Sequence, residues 1–115
     1  MKLEEKAIDN NICLVTIEDT EANLNIADDF KAKMIQKIND GEKRLIISLE
    51  KVSYIDSSFL GALVSTLKAL LPVNGKMVLI EVNSNIYSLF EITRLNKVFV
   101  VKNSLEEAIA EFNGQ

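Results

Sequence analysis

No histidine and no tryptophan occur in the 115 residues, and there is a single cysteine and a single proline. Without an imidazole there is no Ser–His or Cys–His pair to activate a nucleophile, and no zinc site of the usual Cys/His kind. The lone Cys13 cannot close a disulfide within the chain. In the run Ile12-Cys13-Leu14-Val15 it reads as a small buried thiol on a strand. The four glycines form no glycine-rich phosphate loop. Gly41 and Gly75 follow Asp40 and Asn74 and read as turn glycines. No apolar run is long enough to span a bilayer. Residues 1–10 alternate charged and apolar side chains where a signal peptide would carry an apolar core. Basic residues are outnumbered, 13 against 17 acidic, for a formal charge of −4, and they form no stripe. Such a surface repels phosphate backbones and argues against a nucleic-acid partner. A cytoplasmic protein with no membrane insertion is expected.

What is present is ordinary globular material: 48% hydrophobic and 26% charged residues, enough for one core in one domain spanning 1–115. A chain of this size leaves little room for a deep catalytic cavity. With no evident base, metal site or cofactor site, a non-enzyme working through its surface is expected.

The apolar pattern alternates between two periods. Leu3–Ile8 and Ile12–Ile17, separated by the turn cluster Asp9-Asn10-Asn11, predict a hairpin whose first strand is an edge. Asn25 is the expected cap of a first helix, with Asp28 and Asp29 near its positive end and Ala27, Phe30, Met34 and Ile38 on one face. Asn39-Asp40-Gly41 should end it. Leu45–Leu49 is a continuous apolar run, the mark of a strand covered on both faces. An extended piece, Val52–Ile55, leads into Asp56-Ser57-Ser58 and a helix to Leu71 carrying Leu60, Leu63, Val64, Leu67 and Leu70, stopped by Pro72. Met77–Ile80 and Val98–Val101 predict strands. Ser84 opens a short helix with Ile86, Leu89 and Phe90. Ser104 and Glu107 form a capping box for a last helix with Ala108, Ile109 and Phe112. The order β-β-α-β-α-β-α-β-α predicts an α/β fold with a mixed, mostly parallel sheet of four to five strands and four helices.

In such a fold the loops after the carboxyl ends of the strands share one edge, where partners and ligands usually bind. Glu21–Asn25, Asp56–Ser58 and Asn83–Asn85 should meet there. A phosphate on Ser57 would bring about −1.5 to −2 charges to a helix start that tolerates an anion. The fold would survive and the edge would become repellent. Asp-Ser-Ser before an apolar helix is also an ordinary cap, and spacing alone does not separate the two roles. On the same helix Gly61, Ala62, Ser65 and Ala69 fall together opposite the leucines. That stripe reads either as a plain solvent-facing side or as a flat small-residue docking surface. Phe59 falls at the margin of the apolar face, partly exposed.

The stretch Val52-Ser53-Tyr54-Ile55-Asp56-Ser57-Ser58-Phe59-Leu60-Gly61 resembles the Asp-Ser-Ser/Thr-Gly-Leu-Gly signature of bacterial anti-sigma factor antagonists, the STAS family. Leu24-Asn25 resembles the family's Leu-Asp stretch before its first helix, and Ser104–Ala108 its capped last helix. The resemblance implies a STAS-type single domain and a partner switch. It makes Ser57, and less readily Ser58, the phosphate acceptor for a serine kinase that is also the anti-sigma factor, with a PP2C-type phosphatase reversing the step. It puts partner contacts at Asn25 and along Asp56, Ser57, Ser58, Phe59, Gly61, Ala62 and Ser65. The chain departs from the signature in carrying Phe59 for the first glycine and Asn25 for the aspartate. A competing expectation is an unphosphorylated scaffold subunit in a lipid-transport or stressosome-like assembly, docked permanently through the same edge.

Overall fold

A computed structural model of the chain describes residues 1–114. The hairpin forms as the alternation demands. Strand β1 (Leu3–Ile8) runs antiparallel to β2 (Ile12–Ile17), with Ile8 opposite Ile12. Asn10 and Asn11 turn the corner at φ of 65° and 60°, a left-handed conformation that asparagine tolerates better than most residues. Beyond β2 every pairing in the main sheet is parallel: β4 (Arg44–Ser48) lies beside β2, then β6 (Lys76–Ile80), then β7 (Val100–Lys102), giving the order β1-β2-β4-β6-β7. The helices are α1 (Leu24–Asn39), α2 (Ser57–Leu70), α3 (Ser84–Ile92) and α4 (Leu105–Gly114). Two-residue strands β3 (Glu21–Ala22) and β5 (Tyr54–Ile55) pair with each other outside the main sheet.

The central strands are apolar on both faces because both are covered. Odd-numbered positions of β2 and β4 (Cys13, Val15, Ile17, Leu45, Ile47) pack with Phe30 and Met34 of α1, Phe59 and Leu63 of α2, and Phe90 of α3. Even positions (Ile12, Ile46, with Val78 and Ile80 of β6) meet Ala108, Leu105 and Ile109 of α4 on the other side. Half of the expected capping box of α4 forms: Glu107 N donates to Ser104 Oγ at 3.2 Å, while Glu107 Oε1 reaches one residue further and accepts from Asn103 N at 3.0 Å.

Three boundaries differ from the sequence expectation. α1 starts earlier, at Leu24, capped by Asn23, whose side chain accepts from Asn25 N at 3.0 Å. Asp28 and Asp29 therefore lie beyond its first turn. α3 opens at Ser84 as expected, with Asn83 as its cap. α2 gives way at Leu71 to a 3-10 turn over Leu71–Val73 that contains Pro72. The last strand starts at Val100. Val98 and Phe99 belong to a turn in which both amides donate to Leu95 O, and Phe99 is buried against Phe90 with ring centroids 5.2 Å apart.

Two side-chain features hold the periphery. Gly41, after α1, has φ +101°, whereas Gly75 has room for nothing else: a Cβ there would sit 2.8 Å from Lys43 O and 2.5 Å from a Leu70 methyl. Gly75→Ala should cost about 1–3 kcal/mol in chemical denaturation through this backbone clash. At the edge of the sheet, Lys37 of α1 is buried (8% exposed) and pairs with Glu5 of β1 and with Glu42, the latter at 3.3 Å. Burial opposes its charge, but the hydrogen bond it donates to Glu5 and the Glu42 carboxylate outweigh burial and raise the ammonium pKa above the ordinary lysine range. The Lys37 hydrogen bond in turn lowers the Glu5 pKa. The Glu5 contribution is present above the usual carboxylate pKa and is lost as pH falls through the lowered value; the Lys37 contribution is lost only as pH rises past ordinary lysine ionisation. Glu5→Gln should therefore cost about 1 kcal/mol at neutral pH. Denaturation melts repeated in strong acid should show the variant and the parent converging.

Candidate functional site

Three loops leave the carboxyl ends of β2, β4 and β6, and backbone hydrogen bonds fasten them into one surface. Ser53 N donates to Thr20 O at 2.8 Å, Ser53 Oγ to the same oxygen at 3.1 Å, and Asp56 N to Ala22 O at 3.2 Å. The β3–β5 pairing lies between these bonds. The third loop is tied in by Asn83. Its Oδ1 caps α3 by accepting from Ile86 N at 2.8 Å, and its Nδ2 donates to Val52 O and Ser53 O, each at 3.2 Å.

Asp56 is the centre of the arrangement. Its backbone is extended, and its Oδ1 accepts from Phe59 N at 2.9 Å, capping α2. Its Oδ2 accepts from Leu24 N, also at 2.9 Å. One carboxylate thus satisfies orphan first-turn donors of two helices, reaching 32 residues back along the chain to Leu24. Helix dipoles reinforce the choice of an anion there.

Ser57 follows as the first residue of α2 and is exposed. No hydrogen bond engages its hydroxyl among the described residues. Ser58 is half-buried. Three large apolar side chains of these elements are exposed: Leu24 by 66%, Tyr54 by 54% and Ile92 by 79%. Ser57, Tyr54 and Ile92 share a groove of about 640 Å³ with Ser88, Leu89 and Asn85 of α3. Single exposed apolar residues are unremarkable, but two of them in one groove with an exposed hydroxyl suit a protein-contact surface.

The structure brings Asn25, Asp56, Ser57 and Ser58 to this edge, with Asn25 exposed in the first turn of α1. It removes two others. Phe59 is fully buried and stacks at a tilt on Phe30, centroids 4.9 Å apart; Ala62 is 4% exposed. Neither can touch a partner. The small-residue stripe is correspondingly broken: Gly61 is exposed, while Ser65 and Ala69 are half-buried. The apolar faces of α1 and α2 pack together, and that contact claims the flank of α2 carrying Phe59 and Ala62. The sequence reading missed Leu24, Tyr54 and Ile92. Their signal was available only as apolar residues out of step with the buried positions of their own elements. Among the described residues no cluster of carboxylate, cysteine or histidine side chains could hold a metal ion. No described helix is long and apolar enough to cross a membrane.

Residues 5–108 match the STAS domain family. BtrV of Bordetella bronchiseptica, a candidate anti-sigma factor antagonist, is 32% identical over 97% of this chain and 95% of its own length. The crystal structure of a candidate anti-sigma factor antagonist from Thermotoga maritima superposes with a TM-score of 0.88 at 24% identity, covering 97% of this chain and 95% of that one. The Bacillus cell fate determinant SpoIIAA in its phosphorylated form superposes with a TM-score of 0.75 at 20% identity, covering 96% and 99%.

Proposed function

The chain belongs to the STAS domain family, and from that premise we propose that it is a non-enzymatic anti-sigma factor antagonist whose switch is the hydroxyl of Ser57. In the unmodified state the edge formed by Leu24, Asn25, Tyr54, Ser57 and Ile92 docks on an anti-sigma factor that is also a serine kinase, and the sigma factor is released. The kinase then transfers the γ-phosphoryl group of ATP to Ser57. The Oγ–P bond forms, the bond to the bridging oxygen of ADP breaks, and the hydroxyl proton passes to a base on the kinase. The modified edge no longer binds. A PP2C-type phosphatase returns it to the starting state by hydrolysis.

The observation that carries this reading is the placement of Ser57: exposed, first in its helix, its hydroxyl without a hydrogen bond among the described residues, and in one groove with the exposed side chains of Tyr54 and Ile92. A phosphate there meets backbone N–H groups and the positive end of α2, so the fold accepts it. The same dianion inside an apolar contact would be left desolvated and unpaired, which is strongly unfavourable. Incubation of the purified chain with its cognate kinase and ATP should add one phosphate by intact mass, lost in Ser57→Ala and retained in Ser58→Ala. An unmodified parent chain would refute the switch, and a stable complex indifferent to Ser57→Asp would indicate a permanent scaffold instead.

A further inference from the structure

Asp56 does more than cap the helix that follows it. Its second carboxylate oxygen reaches across to Leu24 N at 2.9 Å. As the first residue of α1, Leu24 has no intrahelical acceptor for that amide. The Leu24 side chain is 66% exposed, and its amide is tied to the residue that precedes Ser57. Phe59 N, the other donor to Asp56, lies two residues after Ser57 on the same first turn.

We propose that Asp56 is a positioning residue that transmits the charge on Ser57 to Leu24, so that modification at one helix start releases the start of the other. The proposal rests on the reading of Ser57 as a phosphate acceptor. A phosphate on Ser57 places a second anion next to the Asp56 carboxylate at the same helix terminus. The two repel, and both compete for the same first-turn donors. The two bonds of Asp56 are not equivalent in this competition. Phe59 N can exchange the carboxylate for a phosphate oxygen on the adjoining residue. Leu24 N makes no other hydrogen bond among the described residues and, once released, is left to water. Displacement of the carboxylate therefore costs the Leu24 bond first. Leu24 and Asn25 lose their anchor to α2, and the docking edge loses a fixed apolar contact in addition to gaining charge.

The test is amide hydrogen exchange at Leu24, whose one partner is Asp56, read against Phe59 and the central-strand residue Ile47. With phosphoserine genetically encoded at position 57, Leu24 exchange should rise about tenfold, the scale of one charge-assisted hydrogen bond, while Phe59 stays within about threefold. Ile47 should not change. Asp56→Ser keeps an oxygen for Phe59 but is too short to reach Leu24, so Leu24 exchange should already be fast and phosphoserine should add nothing. If that variant does not fold, Asp56→Asn, with one acceptor oxygen, gives the same comparison. Unchanged Leu24 exchange in the phosphorylated parent overturns the coupling, as does an equal acceleration in the Asp56 variant. Either result leaves the phospho-switch itself standing, because that reading fails separately, on a kinase that leaves Ser57 unmodified.

Discussion

Ser57→Asp should weaken binding to the cognate kinase by on the order of 100-fold, about 2.7 kcal/mol, the scale of one unpaired charge forced into a contact surface. Ser57→Ala should bind within a few-fold of the parent, since the hydroxyl has no partner among the described residues. The aspartate variant is not expected to lose stability. Position 57 is the first of α2, where a carboxylate is favourable by about 0.3–1 kcal/mol. Titration calorimetry and thermal melts on the same samples therefore separate a binding effect from an unfolding effect. Raising salt adds a second discrimination: Coulombic repulsion at an exposed edge is screened within about 8 Å at physiological ionic strength, whereas desolvation of the new carboxylate is not. Binding of Ser57→Asp that recovers fully in high salt would assign the switch to long-range repulsion alone. No recovery would assign it to desolvation of the charge.

Phe59→Ala should produce the largest change in stability, a loss of about 3–5 kcal/mol. Its ring is fully buried and packs on Phe30 between α1 and α2, the helices whose first turns Asp56 joins. Truncation leaves a void at the base of the switch, and total stabilities of about 5–15 kcal/mol make such a loss severe. Phe59→Leu refills most of the volume and should cost less than about 1.5 kcal/mol. Urea denaturation of the two variants checks the ordering. At low temperature, where Phe59→Leu remains folded, kinase affinity should match the parent, because the side chain touches no partner. Reduced affinity in a fully folded Phe59→Leu would mean that the ring, although buried, shapes the docking edge. The bulky residue in place of the signature glycine is thus part of the core.

The periodicities of the chain determined most of the architecture. The β-branched apolar run Ile12–Ile17, the unbroken run Leu45–Leu49 and the three-and-four spacing around Phe30 and Leu63 each favour one kind of element, because the helical and strand periods are set by backbone geometry. The order of elements then fixed parallel pairing. Asp56-Ser57-Ser58 was likewise readable as a helix start bearing exposed serine chemistry, with Ser57 first in α2. Three matters lay beyond local pattern. Asn23 and Asn25 are equally good caps in isolation, and the pairing of Ala22 with Ile55 decided between them by setting where the extended backbone stops. Phe59 could face solvent or core, and the approach of α1 to α2 buried it. The second bond of Asp56, to Leu24 N, and the groove shared by Tyr54, Ser57 and Ile92 join residues far apart in the chain. A sequence records which donors and apolar surfaces exist; only packing in three dimensions decides which of them meet.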